Sequence, residues 1–409
     1  MTVRIFPGRA CGSVSVPPSK SLAHRMLIAA GLADGVSRIR NVGDCEDVRA
    51  TLDCLSGLGA DCRSEGSAVV VRGGLLRQQP EHALPCRESG STLRFLIPVA
   101  LTAPFPVLFT GSGRLPERPQ TVYRDLCAKQ GLSFTQTGSV LAVQGCLRPG
   151  TFRIPGGISS QFITGLLFAL PLLERDSRIC LLPPLESRSY LNLTLDVLAR
   201  FGVRAEWLDG ETLAVPGRQR FVPADCTVEG DWSGGAFWAA LGRLGDNAVS
   251  VSNLDPGSAQ GDRVCLRYLD ALRRGPAVCS LADCPDLGPI LFAYAGMMHG
   301  GTFPDASRLR LKESDRIAAM QAELAKCGIS VSVHGNAVMV TPGELHAPSV
   351  PFDGHNDHRV VMALSILATR VGGAILGAGA VRKSYPAFFS SLAALGIRVE
   401  LGALPQDPA

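Results

Sequence analysis

Two kinds of apolar pattern alternate along this chain. Six stretches carry apolar residues on one helical face and charges on the other: DVRATLDCLSGL, TVYRDLCAKQ, YLNLTLDVLARF, DRVCLRYLDALRR, DRIAAMQAELAKC and PAFFSSLAAL. Each is followed at once or within a residue or two by a glycine, at Gly59, Gly131, Gly202, Gly275, Gly328 and Gly396. That spacing predicts an amphipathic helix closed by a glycine C-cap. In four repeats a second glycine (Gly66, Gly138, Gly210, Gly335) stands seven or eight residues on, before a strand-like run, which predicts a hairpin. Between these lie SLAHRMLIAAGL, STLRFLIPVALTA, QFITGLLFALPLL, SGGAFWAALGRL, DLGPILFAYAGMM and HRVVMALSILATRV, apolar nearly all round. Such helices are buried on most faces. Successive C-cap glycines lie 72, 71, 73, 53 and 68 residues apart, too far for a tight solenoid, whose repeats run about 20–50 residues. Each repeat therefore reads as an α/β unit with one buried helix, one amphipathic helix and several strands.

Three units per domain would place buried helices in the middle and sheets outside. A Pro- and Gly-rich stretch, AVPGRQRFVPADCTVEGDWSGG, separates the third unit from the fourth, and 409 residues suffice for two such domains. A hydrophobic content of 46% with 19% charged residues fits a soluble globular protein, and a net charge of +4 without a basic run argues against a nucleic-acid binder. The longest apolar stretch, FITGLLFALPLL, is too short to span a bilayer, so no membrane partner is expected. The opening MTVRIFPGRACGSVSV alternates like a strand and lacks the apolar core of a secretory signal, so a cytoplasmic location is expected. The 13 cysteines contain no Cys-x-x-Cys and no zinc-like grouping; free thiols are expected, with Cys54, Cys127, Cys265 and Cys327 as small core residues.

The candidate chemistry sits where buried helices begin. No P-loop, Gly-x-Gly-x-x-Gly, His-Glu-x-x-His or Gly-x-Ser-x-Gly is present, which removes the main support for nucleotide, zinc-protease and serine-hydrolase readings. Lys20 and Ser21 stand at a helix entrance, where backbone N–H groups favour anions, and Arg25 lies one turn further on the same face. The plain alternative is a serine cap beside a solvated lysine. Glu88-Ser89-Gly90-Ser91-Thr92 precedes Arg94, with Gly90 open to close approach. A tight loop carries Arg114 and Arg118. Ser159, Ser160 and Gln161 open another buried helix, where Ser159 could be a simple cap. Asp286 lies at the mouth of an apolar helix and reads either as an N-cap or as a general base. Lys312-Glu313-Ser314-Asp315-Arg316 reads either as a solvated helix start or as a site, and Asp357-His358-Arg359 and Lys383-Ser384-Tyr385-Pro386 open the last two helices.

Taken in order over nearly the whole chain, these clusters resemble the 5-enolpyruvylshikimate-3-phosphate synthase family. The resemblance implies an inside-out α/β barrel fold of two similar domains, each of three βαβαββ-type units with buried helices and outer sheets. It places the domains at 20–227 and at 1–19 with 228–409. It implies transfer of the enolpyruvyl group of phosphoenolpyruvate to the 5-hydroxyl of shikimate 3-phosphate with release of phosphate, through a tetrahedral intermediate, in the shikimate pathway to chorismate and aromatic amino acids. No metal or organic cofactor is implied, and a monomer is expected. Carried over by motif, Lys20, Ser21, Arg25, Ser159, Ser160, Gln161, Ser187, Tyr190, Asp286 and Lys312 would contact shikimate 3-phosphate. Lys20, Gly90, Arg118, Gln161, Arg316, Arg359 and Lys383 would contact phosphoenolpyruvate. Asp286, Glu313 and Lys20 would handle protons. Seven cations in these sets face roughly five to six negative charges on the two substrates.

Two other readings share part of the pattern. A UDP-N-acetylglucosamine enolpyruvyl transferase has the same fold and donor but carries a reactive Cys where this chain has Gly113. A non-catalytic sugar-phosphate-binding protein would keep the cations, yet Asp286 and Glu313 are both present. The chain also departs from the common family pattern at Glu88-Ser89, at Phe95 and at Arg308.

Overall fold

The apolar and amphipathic stretches form twelve helices among the described residues: Lys20–Leu32 (α1), Glu46–Gly57 (α2), Gly90–Ala100 (α3), Thr121–Gln130 (α4), Ser160–Ala169 (α5), Arg188–Arg200 (α6), Trp232–Leu241 (α7), Cys265–Arg274 (α8), Gly288–Met297 (α9), Arg316–Ala325 (α10), His358–Val371 (α11) and Phe388–Ala394 (α12). The structure is a computed structural model and describes residues 1–402; the tail of the expected second domain, 403–409, lies outside the described residues. The odd-numbered helices are the apolar ones. Every residue of α7 is buried, whereas α8 buries only Cys265, Leu269 and Leu272, a single stripe at helical spacing. None of the described helices is long and apolar enough to cross a membrane.

The chain divides into two compact units, Pro18–Glu229, and Met1–Pro17 together with the chain from Gly230 onward. Each has its own apolar core: one built from residues between Leu22 and Val228, the other from Val3–Val16 and residues beyond Trp232. All of Cys54, Cys127, Cys265 and Cys327 are buried free thiols in these cores.

In the 18–229 unit each repeat owns a four-stranded sheet. In the second repeat the order is Leu84–Arg87, Val107–Gly111, Val140–Gln144, Ser133–Thr137; the first pair is parallel across α3 and the others are antiparallel. This is a βαβαββ unit whose final hairpin folds back onto the parallel pair. The third repeat has the same order. The first borrows its opening strand from far downstream, Asp225–Thr227 lying parallel to Val36–Arg40.

The other unit contains one full repeat, one completed from elsewhere and one reduced. The fifth repeat has four strands of its own. The sixth takes a strand from the chain start: Thr2–Ile5 lies between Gly373–Leu376 and Val399–Gly402, antiparallel to both. The fourth keeps only Cys11–Ser15 parallel to Ala248–Ser252 and has no hairpin.

That reduced repeat changes one sequence expectation. Five of the six C-cap glycines have left-handed backbone, but Gly275 has φ 172, which is ordinary extended chain. With no hairpin to form, α8 runs straight into an extended segment. Gly210 also differs, since its backbone is not left-handed. Asp209 turns the chain there instead, its Oδ1 accepting from the backbone N–H of Glu211 and of Thr212 at 2.7 Å each. Finally, the Lys383 cluster does not open the last helix. Lys383 ends a 3₁₀ stretch, Ala378–Lys383, and α12 starts at Phe388.

Candidate active site

In the 18–229 unit the starts of α1, α3 and α5 carry the polar cluster. Tyr123, buried on α4, donates its hydroxyl to the carbonyls of Arg94 (2.7 Å) and Phe162 (2.9 Å), which ties α3 to α5. Their close approach needs Gly165, because a Cβ there would lie 2.3 Å from the Arg94 carbonyl oxygen.

Arg25 is 2% exposed. Its Nε donates to Thr194 Oγ1 at 2.8 Å, Nη1 to the Ser21 carbonyl at 2.7 Å, and Nη2 to the Tyr190 carbonyl at 3.1 Å. Among the described residues no carboxylate pairs with it. Burial brings its guanidinium down to about 10, with the Tyr190 hydroxyl pulling the other way. A buried cation held only by neutral oxygens is costly, and an anion would offset that cost. Lys20 instead meets Asp47 at 2.7 Å, both partly exposed. Arg94 donates to Gln161 Oε1 at 2.8 Å and to the Pro119 carbonyl at 3.1 Å, and its guanidinium lies 4.7 Å from the Phe162 ring centre. Gln161 in turn donates to Ser91 Oγ at 3.0 Å.

Gly90 is explained by Arg118. A Cβ at Gly90 would stand 2.6 Å from Arg118 Nη1, so the missing side chain leaves room for that guanidinium. Arg118 Nε is buried and makes no hydrogen bond. Ser159 is a cap as well, accepting from the Gln161 backbone at 3.3 Å. Ser19 is not, since its Oγ is buried without a partner. Ser187 precedes α6 in left-handed backbone (φ 58) and is buried.

In the other unit the cluster is denser. Arg316, 1% exposed, donates from Nε to Asp357 Oδ2 (2.8 Å), from Nη1 to Asp286 Oδ1 (2.9 Å) and from Nη2 to Glu313 Oε2 (2.8 Å). Burial opposes its charge, yet Asp357, Glu313 and Asp286 outweigh burial and hold it above the ordinary arginine value. Lys312 Nζ reaches Asp286 Oδ1 at 3.1 Å, and Arg359 Nη2 lies 3.6 Å from Asp286 Oδ2. Burial, with Arg316 and Arg308 nearby, depresses Lys312 despite Asp286. Arg359 is 4% exposed, and its Nε and Nη1 are buried without partners. Lys383 donates to the Asn356 carbonyl at 2.6 Å.

These contacts exclude the plain reading at two positions. No side chain caps α9, so Asp286 is not an N-cap; its carboxylate is gripped by cations. Nor is 312–316 a solvated helix start, because Arg316 is fully buried and only Asp315 caps α10. The structure thus assembles Lys20, Ser21, Arg25, Gly90, Arg118, Ser159, Ser160, Gln161, Ser187 and Tyr190 on one unit. Asp286, Lys312, Glu313, Arg316, Arg359 and Lys383 stand on the other.

The family model for EPSP synthase (3-phosphoshikimate 1-carboxyvinyltransferase) matches residues 6–275 and 270–392. The chain belongs to the EPSP synthase family. The 3-phosphoshikimate 1-carboxyvinyltransferase of Clostridium kluyveri is 38% identical over 97% of this chain and 98% of its own length. That of Clostridium novyi is 37% identical over 96% and 97%. Among solved structures, an EPSP synthase from Acinetobacter baumannii aligns with TM-score 0.78 at 22% identity, covering 98% of this chain and all of that one. The enolpyruvyl transferase NikO from Streptomyces tendae aligns at 0.76 and 18% identity. Both show the same two-domain inside-out α/β fold.

For a member of the EPSP synthase family, sequence reasoning overlooked the groups that hold the site residues. Asp47 and Thr51, four apart on α2, face α1; polar residues at that spacing on the inner side of an amphipathic helix were the available signal. Asp357 was noted only as part of a charged cluster, yet it is completely buried. It caps α11 through the Arg359 N–H at 2.9 Å while binding Arg316 and Ser314. Asp262, buried and hydrogen-bonded by Ser233, was not noticed; burial and then Asp286 push it up to about 6.

Proposed function

We propose that this enzyme transfers the enolpyruvyl group of phosphoenolpyruvate to the 5-hydroxyl of shikimate 3-phosphate and releases phosphate. The observation that carries this reading is a set of buried and part-buried cations with unused capacity for anions. Among the described residues Arg25 pairs with no carboxylate, the buried Arg359 has two unpartnered N–H-bearing nitrogens, and the part-buried Arg118 has one. Guanidinium forks suit phosphate and carboxylate oxygens, and both substrates carry both groups. Lys20, Ser21, Arg25, Ser159, Ser160, Gln161, Ser187, Tyr190, Asp286 and Lys312 bind shikimate 3-phosphate. Lys20, Gly90, Arg118, Gln161, Arg316, Arg359 and Lys383 bind phosphoenolpyruvate.

In the addition step Asp286 accepts the 5-hydroxyl proton as that oxygen bonds to C2 of phosphoenolpyruvate. Lys312, Arg316 and Arg359 hold that carboxylate in place, and a positioned carboxylate is a usual general base. Glu313 or Lys20 delivers a proton to C3, which becomes a methyl group, and a tetrahedral ketal phosphate forms. In the elimination step the C2–O bond to phosphate breaks and a methyl proton returns to the group that delivered it, Glu313 or Lys20, leaving the vinyl ether. The cations balance charge on the departing phosphate. The proposed reaction is that of a monomer, as the family leads one to expect, working in the cytoplasm.

Phosphate release tests the reading directly. Turnover is expected with phosphoenolpyruvate plus shikimate 3-phosphate and none with phosphoenolpyruvate plus UDP-N-acetylglucosamine. The reverse pattern would overturn it, and binding without turnover would make the protein a sugar-phosphate binder instead.

A further inference from the structure

The starts of α1, α2 and α3 are joined by a buried polar chain that the reaction does not itself require. Lys20 and His24 lie one turn apart on α1, and Asp47 and Thr51 lie one turn apart on α2. The two pairs meet rung by rung: Lys20 Nζ–Asp47 Oδ2 at 2.7 Å and His24 Nδ1–Thr51 Oγ1 at 2.7 Å. From Thr51 the chain continues to Thr92 Oγ1 at 2.7 Å and from there to Ser89 Oγ at 2.7 Å. His24, Thr51, Thr92 and Ser89 are all fully buried. Ser89 is also the N-cap of α3, accepting from the Thr92 N–H, and it immediately precedes Gly90, against which Arg118 lies.

One proton polarity fits the distances along this chain, Thr51 lying farther, at 3.5 Å, from the Asp47 carbonyl. Thr92 donates its hydroxyl to Ser89, so it must accept from Thr51. Thr51 has then spent its only proton and must accept from His24 Nδ1. The imidazole is therefore the Nδ1–H tautomer, with Nε2 a bare, buried lone pair. Burial first, then Lys20 and Arg25, keeps the ring neutral, well below its ordinary value.

We infer that His24 is a positioning residue: as an Nδ1–H donor it sets the register of α1 against α2 and α3, and so places Lys20 and the Gly90–Arg118 contact. It acts through the backbone and its neighbours and touches no reacting atom. The inference rests on the proposed reaction for its readout. An asparagine at 24 can put an amide N–H where Nδ1 stands, whereas leucine cannot donate.

The test compares His24→Asn, His24→Leu and Thr51→Val for kcat and both KM values from pH 6 to 9. Expected is a His24→Asn enzyme within about threefold of wild type with unchanged pH limbs. His24→Leu and Thr51→Val should both raise KM for phosphoenolpyruvate about tenfold, the scale of one lost buried hydrogen bond. Thr51→Val keeps the side-chain shape and so reads the chain even if His24→Leu fails to fold. Wild-type KM values in Thr51→Val, His24→Asn as impaired as His24→Leu, or a pH limb lost in His24→Asn would each overturn the inference. Wild-type enzyme without turnover would overturn the proposed reaction instead.

Discussion

Asp286 is a carboxylate held by cations from three other positions, and the proposed reaction uses it as the base. Three cations surround it and it caps nothing, so its replacement should damage turnover far more than folding. Asp286→Ala is expected to lower kcat at least about 100-fold, the low end for a lost acid–base group. Steady-state phosphate release measures this, and near-wild-type turnover would exclude the base role. Gly90 makes a different prediction. An alanine Cβ would press on the Arg118 guanidinium from 2.6 Å, which must then move. Gly90→Ala should raise KM for phosphoenolpyruvate while leaving KM for shikimate 3-phosphate close to wild type; equal changes in both would mean Arg118 does not serve the donor. The sequence pattern singled out both positions but did not reveal what surrounds them. It could not separate cap from site at Asp286, because the two uses share one local pattern and differ only in partners from segments 26 and 30 residues away. At Gly90 the pattern suggested close approach of a ligand, and it did not reveal that Arg118 also packs against that backbone.

At the level of elements, the turn before α11 does most of the positioning. Asp357 holds Arg316 while capping α11, and the Asn356 carbonyl holds Lys383. Removing Asp357 uncaps α11 and leaves the buried Arg316 with only the partly exposed Asp286 and Glu313. Asp357→Ala should therefore cost about 3 kcal/mol in urea unfolding, and a loss below about 1 kcal/mol would show that Asp286 and Glu313 suffice for Arg316. The same turn is fastened by His355, whose Nε2 lies 3.1 Å from Glu323 Oε1. The Glu323 hydrogen bond raises the imidazole above its ordinary value, with burial opposing and Asp353 assisting, while Lys326 works against it. Because the folded value is the higher one, this contribution is complete below about pH 6.5, the unfolded value, and disappears as pH rises through the folded value. The urea midpoint of His355→Ala should therefore trail wild type at pH 6 and converge with it on going to pH 9; a gap independent of pH would rule the ion pair out. The clusters at Asp357 and Lys383 were legible beforehand, but not the turn that joins them. His355 and Asn356 both adopt left-handed backbone, φ 49 and 50, and no residue type in that segment announces two such positions in succession.

Over the whole molecule, repetition was legible because each repeat must hide one apolar helix and close one amphipathic helix, and both demands leave local marks. Exchange of strands between distant parts of the chain was not, since a strand's partner leaves no mark on the strand itself. The local trace was missing glycines: none follows Gly275 or Gly396 at seven or eight residues, and the first of these repeats has no hairpin while the second takes in Thr2–Ile5. The exchange has a consequence for stability. Thr2–Ile5 is an inner strand with neighbours on both sides, Val3 facing Ile375 and Leu401, and Val3 and Ile5 are completely buried. Cys11–Ser15 is half of the only sheet the fourth repeat has. Both belong to the core that begins again at Trp232, and none of their residues belongs to the core of 18–229. Deleting residues 1–17 should thus open the later unit selectively. By hydrogen exchange, amides of Gly373–Leu376 and Ala248–Ser252 should lose protection, while those of Val36–Arg40 and Val107–Gly111 keep it. Uniform loss across all four strands would mean that the two cores unfold as one cooperative body, and uniform retention would mean that the borrowed strands contribute nothing to holding the later unit together.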